Sequence, residues 1–335
     1  MLRCLIEFIE KEIIPMMTLL FENAKMNWVA LVGLLFAFIV TCILLSVFSN
    51  KLPKDLGRDY AHDGKLSAGK PRGAGFLFII VFIVATLLFV PFNREYLIYL
   101  ILVAAAMLTG FLDDCSRAPW GEYKKGLLDL LIAVMIAVTF LNFNPNTVNF
   151  ALFGSTITIP KVVFGILIVI LVWVSINVTN CSDGVDGLSG TLTIITLLTI
   201  YGIDQIKGTS LNFNFIILIF VICILAYLWF NATPSKLMMG DAGSRAMGLF
   251  IAIAILKTGS PFLYIPVAFM LIIDGGLGLV KVSLLRFLKI RILTNVRTPI
   301  HDHVRKVKGW SNTQAVYRFA IIQIMISIIV IFMIK

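Results

Sequence analysis

The chain has 335 residues, of which 59% are hydrophobic and only 14% charged, with a mean hydropathy of +0.98. That balance excludes a soluble globular domain and predicts an all-α, polytopic integral membrane protein. The net charge of +10 does not point to nucleic acid, because Lys and Arg cluster in the loops between apolar runs, where they act as topology signals and attract lipid phosphates.

In residues 1–25, Leu2, Leu5, Ile6, Ile9 and Ile13 fall at helical spacing among Glu7, Glu10, Lys11, Glu12 and Glu22. This predicts an interfacial helix rather than a cleavable signal peptide. About ten apolar runs follow, at 27–48, 74–92, 96–112, 127–143, 162–176, 188–203, 213–230, 243–256, 262–285 and 319–334. The outer segment 144–160 is rich in Thr, Asn and Phe and predicts a short hairpin. The eighth run has only eleven residues between Arg245 and Lys257, which predicts a re-entrant or strongly buried helix. The ninth contains Asp274, Gly275, Gly276 and Gly278. It predicts a bent or broken helix beside a lateral groove for a lipid tail, with Lys281 or groove water satisfying Asp274. The expected organisation is a single transmembrane domain over 1–335, with 286–318 as a basic cytoplasmic donor-binding loop. The five cysteines show no CxxC spacing, and three histidines without a matching Cys set argue against zinc.

Loops after odd-numbered spans carry nineteen Lys and Arg, whereas the opposite side carries eight. The positive-inside rule therefore puts those loops in the cytoplasm and both termini outside. The same loops hold the polar knots. Asp113 and Asp114 follow the third span, Asn177, Asn180, Asp183 and Asp186 the fifth, Asn231 to Ser244 the seventh, and His301 and His303 the ninth. Five carboxylates, Asp113, Asp114, Asp183, Asp186 and Asp241, crowd one face and imply a cation. Magnesium suits such oxygen donors, with substrate phosphates completing its shell. Lys65, Lys70, Arg72, Lys124, Lys125 and Arg305 are candidates to neutralise further phosphate charge.

These motifs are Asp113-Asp114; Asn177-x-x-Asn180-x-x-Asp183-Gly184-x-Asp186-Gly187-Leu188; Asn231-Ala-x-Pro234 with Met239-Gly240-Asp241-x-Gly243-Ser244; and Pro299-Ile300-His301-x-His303 with Lys308-Gly309-Trp310-Ser311. In this order they resemble the polyprenyl-phosphate N-acetylhexosamine-1-phosphate transferases over about 52–319. The last motif is similar to that of the phospho-N-acetylmuramoyl-pentapeptide transferase branch.

The resemblance implies transfer of phospho-N-acetylmuramoyl-pentapeptide from UDP-N-acetylmuramoyl-pentapeptide to undecaprenyl phosphate at a bacterial plasma membrane, giving lipid I and UMP. It implies Asp241 as the Mg2+ ligand and, with Asp113, Asp114 and His301, as the catalytic set. Lys70, Lys125, Asn177, Asn180, Asp183, Asp186, Asn231, Met238, His303 and Arg305 are implied in substrate binding, His301 and His303 at the diphosphate. Expected partners are the two substrates and membrane lipids, with a homodimer compatible. This chain departs from the family pattern at Asp302 inside the histidine motif, at Met238 where a Phe stacks on uracil, at Arg117, and in the Gly69–Gly75 loop. Asp302 is expected to turn away from phosphate or to pair with Arg305. The rival readings are a sister transferase using UDP-N-acetylglucosamine and, from another class, an ion-coupled transporter. The transporter would need a midplane site open to both faces.

Overall fold

The computed structural model describes residues 26–334 apart from 56, 58–66, 92, 117, 119, 152–153 and 209–210. The expected interfacial helix at 1–25, Lys65 and Arg117 lie outside the described residues. The described chain is helical except for one hairpin. Helices α1 (Met26–Phe48), α2 (Gly75–Phe89), α3 (Arg94–Asp114) and α4 (Glu122–Phe143) precede β1 (Thr147–Phe150) and β2 (Ser155–Thr158). Then come α5 (Lys161–Cys181), α6 (Leu188–Lys207), α7 (Leu211–Asn231) and α8 (Gly240–Lys257). A bent pair, α9 (Pro261–Val267) and α10 (Phe269–Leu288), is followed by α11 (Ile300–Lys308) and α12 (Asn312–Ile334). The ten apolar runs thus all become helices, in order. Six are long and apolar enough to cross a membrane on those criteria alone, and the bent pair makes a seventh.

Helices α1, α4, α5 and α12 turn Leu, Ile, Val and Phe outward along their length, as expected of a surface in contact with lipid chains. Helix α8 is the opposite case: every residue from Gly240 to Leu256 is buried, so the eighth run is the strongly buried helix of the two alternatives expected and forms the central post of the bundle. It packs chiefly on α3 and α5. Small residues allow this, as between membrane helices generally. At Gly110 in α3, an added Cβ would lie 2.3 Å from the carbonyl oxygen of Asp241.

The ninth run is broken as expected, but at a different place. The chain bends by 70° between Val267 and Phe269, just after Pro266, which cannot donate to the helix ladder. The freed groups find partners on neighbouring helices. Gln323 donates to the Pro266 carbonyl at 3.1 Å and accepts from Met270 N–H at 2.9 Å, and Thr196 donates to the Val267 carbonyl at 2.9 Å. Asp274, Gly275 and Gly276 instead form a π turn inside continuing helix.

The segment 144–160 contains the expected hairpin, with Val148 opposite Ile157. At that end of the bundle, the buried Glu95 takes Lys257 at 3.0 Å and Tyr99 at 2.9 Å, closing α8 onto α3. The acidic motifs gather at the other end.

Candidate active site

Asp113 and Asp114 end α3, where the helix hands its last carbonyls to the following turn. Asp241 opens α8. Gly240 ahead of it has φ +69, and a Cβ there would lie 2.2 Å from Asp114 Oδ2, so only glycine lets the two chain ends meet. Met239 offers α8 no capping side chain, and Asp114 fills that role from another helix. Its two oxygens accept from the backbone N–H groups of Asp241 and Ala242, both at 3.1 Å. A carboxylate there also complements the helix dipole.

Two cations brace this corner. Arg72 Nε donates to Asp114 Oδ1 at 2.8 Å, and its other nitrogens reach Asp241 at 3.4 Å and Asp55 at 3.6 Å. Burial works against the Arg72 charge, yet the carboxylates, led by Asp114 and Asp241, hold its pKa above the ordinary guanidinium value. Lys125, in the first turn of α4, is ion-paired with Asp113 and lies 3.0 Å from Asp241 Oδ2. Asp113 also accepts from Trp120 N–H at 2.7 Å. The counter-charge inferred from sequence is therefore supplied in large part by the chain itself.

Above this corner is a pocket of about 350 Å³. Its wall includes Asn180, Asp183, Asp186, Asn231, Met238 and Asp241, together with the cationic Lys70, Arg72 and Arg305. Asn231 ties two loops, accepting from Gly187 N–H and donating to the Leu237 carbonyl, both at 2.8 Å. Asn180 donates to Ser244 at 2.9 Å, Lys70 to Ser235 at 3.0 Å, and Asp186 accepts from Ser235 N–H at 3.3 Å. Met238 is fixed by its backbone, which bonds Pro71 and Ala74.

The remaining sequence candidates sit behind or beside this wall. Asn177 donates to the Trp173 carbonyl within its own helix. His303 Nδ1 accepts from Arg297 N–H at 3.3 Å. His301 is buried, its Nδ1 2.8 Å from Asp274 Oδ2 and its backbone N–H 2.7 Å from Asp274 Oδ1, with the ring edge against Gly184. The Asp274 partner is thus His301. Lys281 instead bonds the carbonyls of Leu293 and Val296 and holds the loop before α11. Asp302 pairs with Arg305 at 2.8 Å, one of the two outcomes expected from the sequence.

Sequence reasoning missed the buried Asp55, which receives Ser67 and Arg72, and Tyr227, whose hydroxyl accepts from Met239 N–H at 3.0 Å. Neither stands in a polar knot.

The glycosyl transferase family 4 pattern matches residues 96–259. A phospho-N-acetylmuramoyl-pentapeptide-transferase of Treponema pallidum (strain Nichols) is 39% identical over 295 residues, covering 83% of this chain and 81% of that protein. The chain belongs to the phospho-N-acetylmuramoyl-pentapeptide-transferase family. Proteins of the same name from Dictyoglomus thermophilum and Aliarcobacter butzleri are 29% and 27% identical, with 87% and 89% of this chain covered and 94% and 92% of theirs. Membership makes the chain a multi-pass membrane enzyme of the phospho-sugar transferase class.

Proposed function

We propose that this chain transfers phospho-N-acetylmuramoyl-pentapeptide from its UDP carrier to undecaprenyl phosphate on the cytoplasmic face of a bacterial plasma membrane. An oxygen of the lipid phosphate attacks the phosphorus that carries the sugar. The bond from that phosphorus to the UMP oxygen breaks, and lipid I and UMP result. The observation that carries this reading is the Asp241 carboxylate on a pocket wall shared with Lys70, Arg72 and Arg305. Such a wall fits a diphosphate, whose charge needs several donors at once.

Among the described residues no three His, Cys, Asp or Glu side chains converge to hold a metal unaided. A Mg2+ ion that takes one carboxylate and completes its shell with water and phosphate oxygens fits Asp241. Asp55, Asp113, Asp114 and Asp241 against Arg72 and Lys125 also leave negative charge to be balanced. When bound, such an ion would offset the developing charge on the transferring phosphoryl group. In this reading Lys70, Arg72 and Arg305 orient the diphosphate, Asp183, Asn231 and Met238 bound the nucleoside side, and Asp114 holds Asp241 in place.

The test uses the purified protein in nanodiscs with undecaprenyl phosphate, each UDP-sugar in turn, and UMP release as readout. Turnover with the muramoyl-pentapeptide donor, lost on chelation and restored by magnesium, is the expected result. Equal or faster turnover with UDP-N-acetylglucosamine would overturn the donor assignment.

A further inference from the structure

Outside the pocket, one pair of charges has no part in the chemistry described so far. Arg245 of α8 and Asp129 of α4 are ion-paired, and each is only about 2% exposed. A buried pair of this kind is not what stability alone favours, since two packed apolar side chains commonly do as well or better. Arg245 is also incompletely satisfied. Its Nε and Nη1 are buried with no hydrogen-bond partner among the described residues. Such a group calls for an explanation other than packing.

The spacing supplies one. Lys125 and Asp129 are four apart on α4, and Asp241 and Arg245 are four apart on α8, so each pair lies on one helix face. Lys125 meets Asp241 and Asp129 meets Arg245, two charge pairs of opposite sense one turn apart. Helix α4 packs closely on α3 and α5 rather than on α8, so long side chains must bridge the gap. Arg245 Nη2 also donates to the backbone carbonyl of Lys125 at 3.3 Å. The other polar contacts of the first turn of α4 lie at its exposed rim, where Arg286 pairs with Glu122 at 2.6 Å and Trp173 donates to the Gly126 carbonyl at 3.4 Å; Gly121 gives it no capping side chain, and nothing lies within 4 Å of where a Cβ on Gly121 or Gly126 would be.

We propose that Arg245 and Asp129 are a positioning pair that fixes the start of α4 against α8 and thereby holds the Lys125 ammonium on Asp113 and Asp241. The consequence for turnover rests on the transferase reading above; the placement of Lys125 does not.

Two measurements test it. The double variant Asp129→Leu/Arg245→Met removes both charges together, leaving no unpaired ion to unfold the bundle. Its thermal unfolding is expected to match that of the wild type. Acylation of Lys125 by an amine reagent, followed by peptide mass spectrometry with Lys124 as internal control, is expected to be at least about fivefold faster in the double variant. Lys125 reactivity within twofold of wild type in the folded variant would overturn the proposal, whatever the protein's substrate. In the turnover assay kcat is expected to fall at least tenfold with donor KM unchanged. On a Lys125→Gln background the same double substitution should change kcat by less than twofold, because the group it positions is gone. A full additional tenfold loss on that background would show a merely structural role and refute the proposal. Absence of turnover in the wild type with every donor would count against the transferase reading, and the acylation result would still decide this one.

Discussion

Replacing Asp114 by Asn is expected to lower stability more than replacing Asp241 by Asn does, and both replacements are expected to lower turnover. Asp114 is enclosed, and its two oxygens accept from Arg72 Nε, Asp241 N–H and Ala242 N–H. An amide keeps one acceptor and turns the other into a donor that must face an existing N–H. The charge-assisted bond to Arg72 is worth about 1.5–3 kcal/mol, and a buried donor left facing a donor costs about 1–3 kcal/mol. Together these predict a loss of about 2.5–6 kcal/mol. Asp241 stands at the pocket wall, and its partners Arg72 and Lys125 keep Asp114 and Asp113 and remain partly open to water. Its neutralisation should cost less than that of Asp114, about 1–3 kcal/mol, because Arg72 and Lys125 each retain another carboxylate. Both variants should lose at least about a hundredfold in turnover, the scale seen when a preorganised electrostatic group is removed. Thermal unfolding in detergent, paired with UMP release, separates the two. An Asp114→Asn protein as stable as the wild type, or an Asp241→Asn protein within a few-fold of its turnover, would refute the assignment of these roles.

Gly110→Ala should disrupt the site from a distance, because its methyl would have to displace the Asp241 carbonyl; wild-type yield and turnover would show that α3 and α8 are not so close. Asp274→Leu should destabilise by about 3–5 kcal/mol by leaving His301 unpaired in the interior, while Lys281→Met should cost about 1 kcal/mol or less; thermal unfolding with the reverse order would return Lys281 as the partner. Met238→Phe should bind uridine nucleotides as tightly as the parent or more so, measured by calorimetry, since a ring there can stack on the base where the thioether gives dispersion contact; weaker binding would take Met238 away from the nucleoside side.

The helical architecture was legible because apolar runs of membrane length leave few alternatives, and the acidic motifs were legible because carboxylates beside such runs are costly without a use. What sequence could not supply was pairing. Asp274 stood seven residues from Lys281, yet its partner is His301, brought in by the turn before α11. The break in the ninth run was attributed to glycines, while the structure puts the sharp bend at Pro266, whose orphaned neighbours are satisfied by Gln323 and Thr196, residues that read as ordinary span positions. Asp55 and Tyr227 lie outside the polar knots and are drawn in only by tertiary contacts. Asn177 belongs to the most conspicuous motif, yet its amide is used inside the bundle, on the Trp173 carbonyl of its own helix and on Asp129 of α4.

The enclosure of α8 bears on how the protein is made. With Asp241 and Arg245 near one end, Lys257 at the other and no face to offer lipid, it is a poor candidate to partition into the bilayer alone. Its neighbours α3 and α5 precede it in the chain, and they present the small-residue surface and the Asp114 cap that it requires. The seat of helix α8 is thus built from segments that precede it in the chain, and the acidic corner is incomplete without it. A chain interrupted before α8 would carry Asp113 and Asp114 but no site.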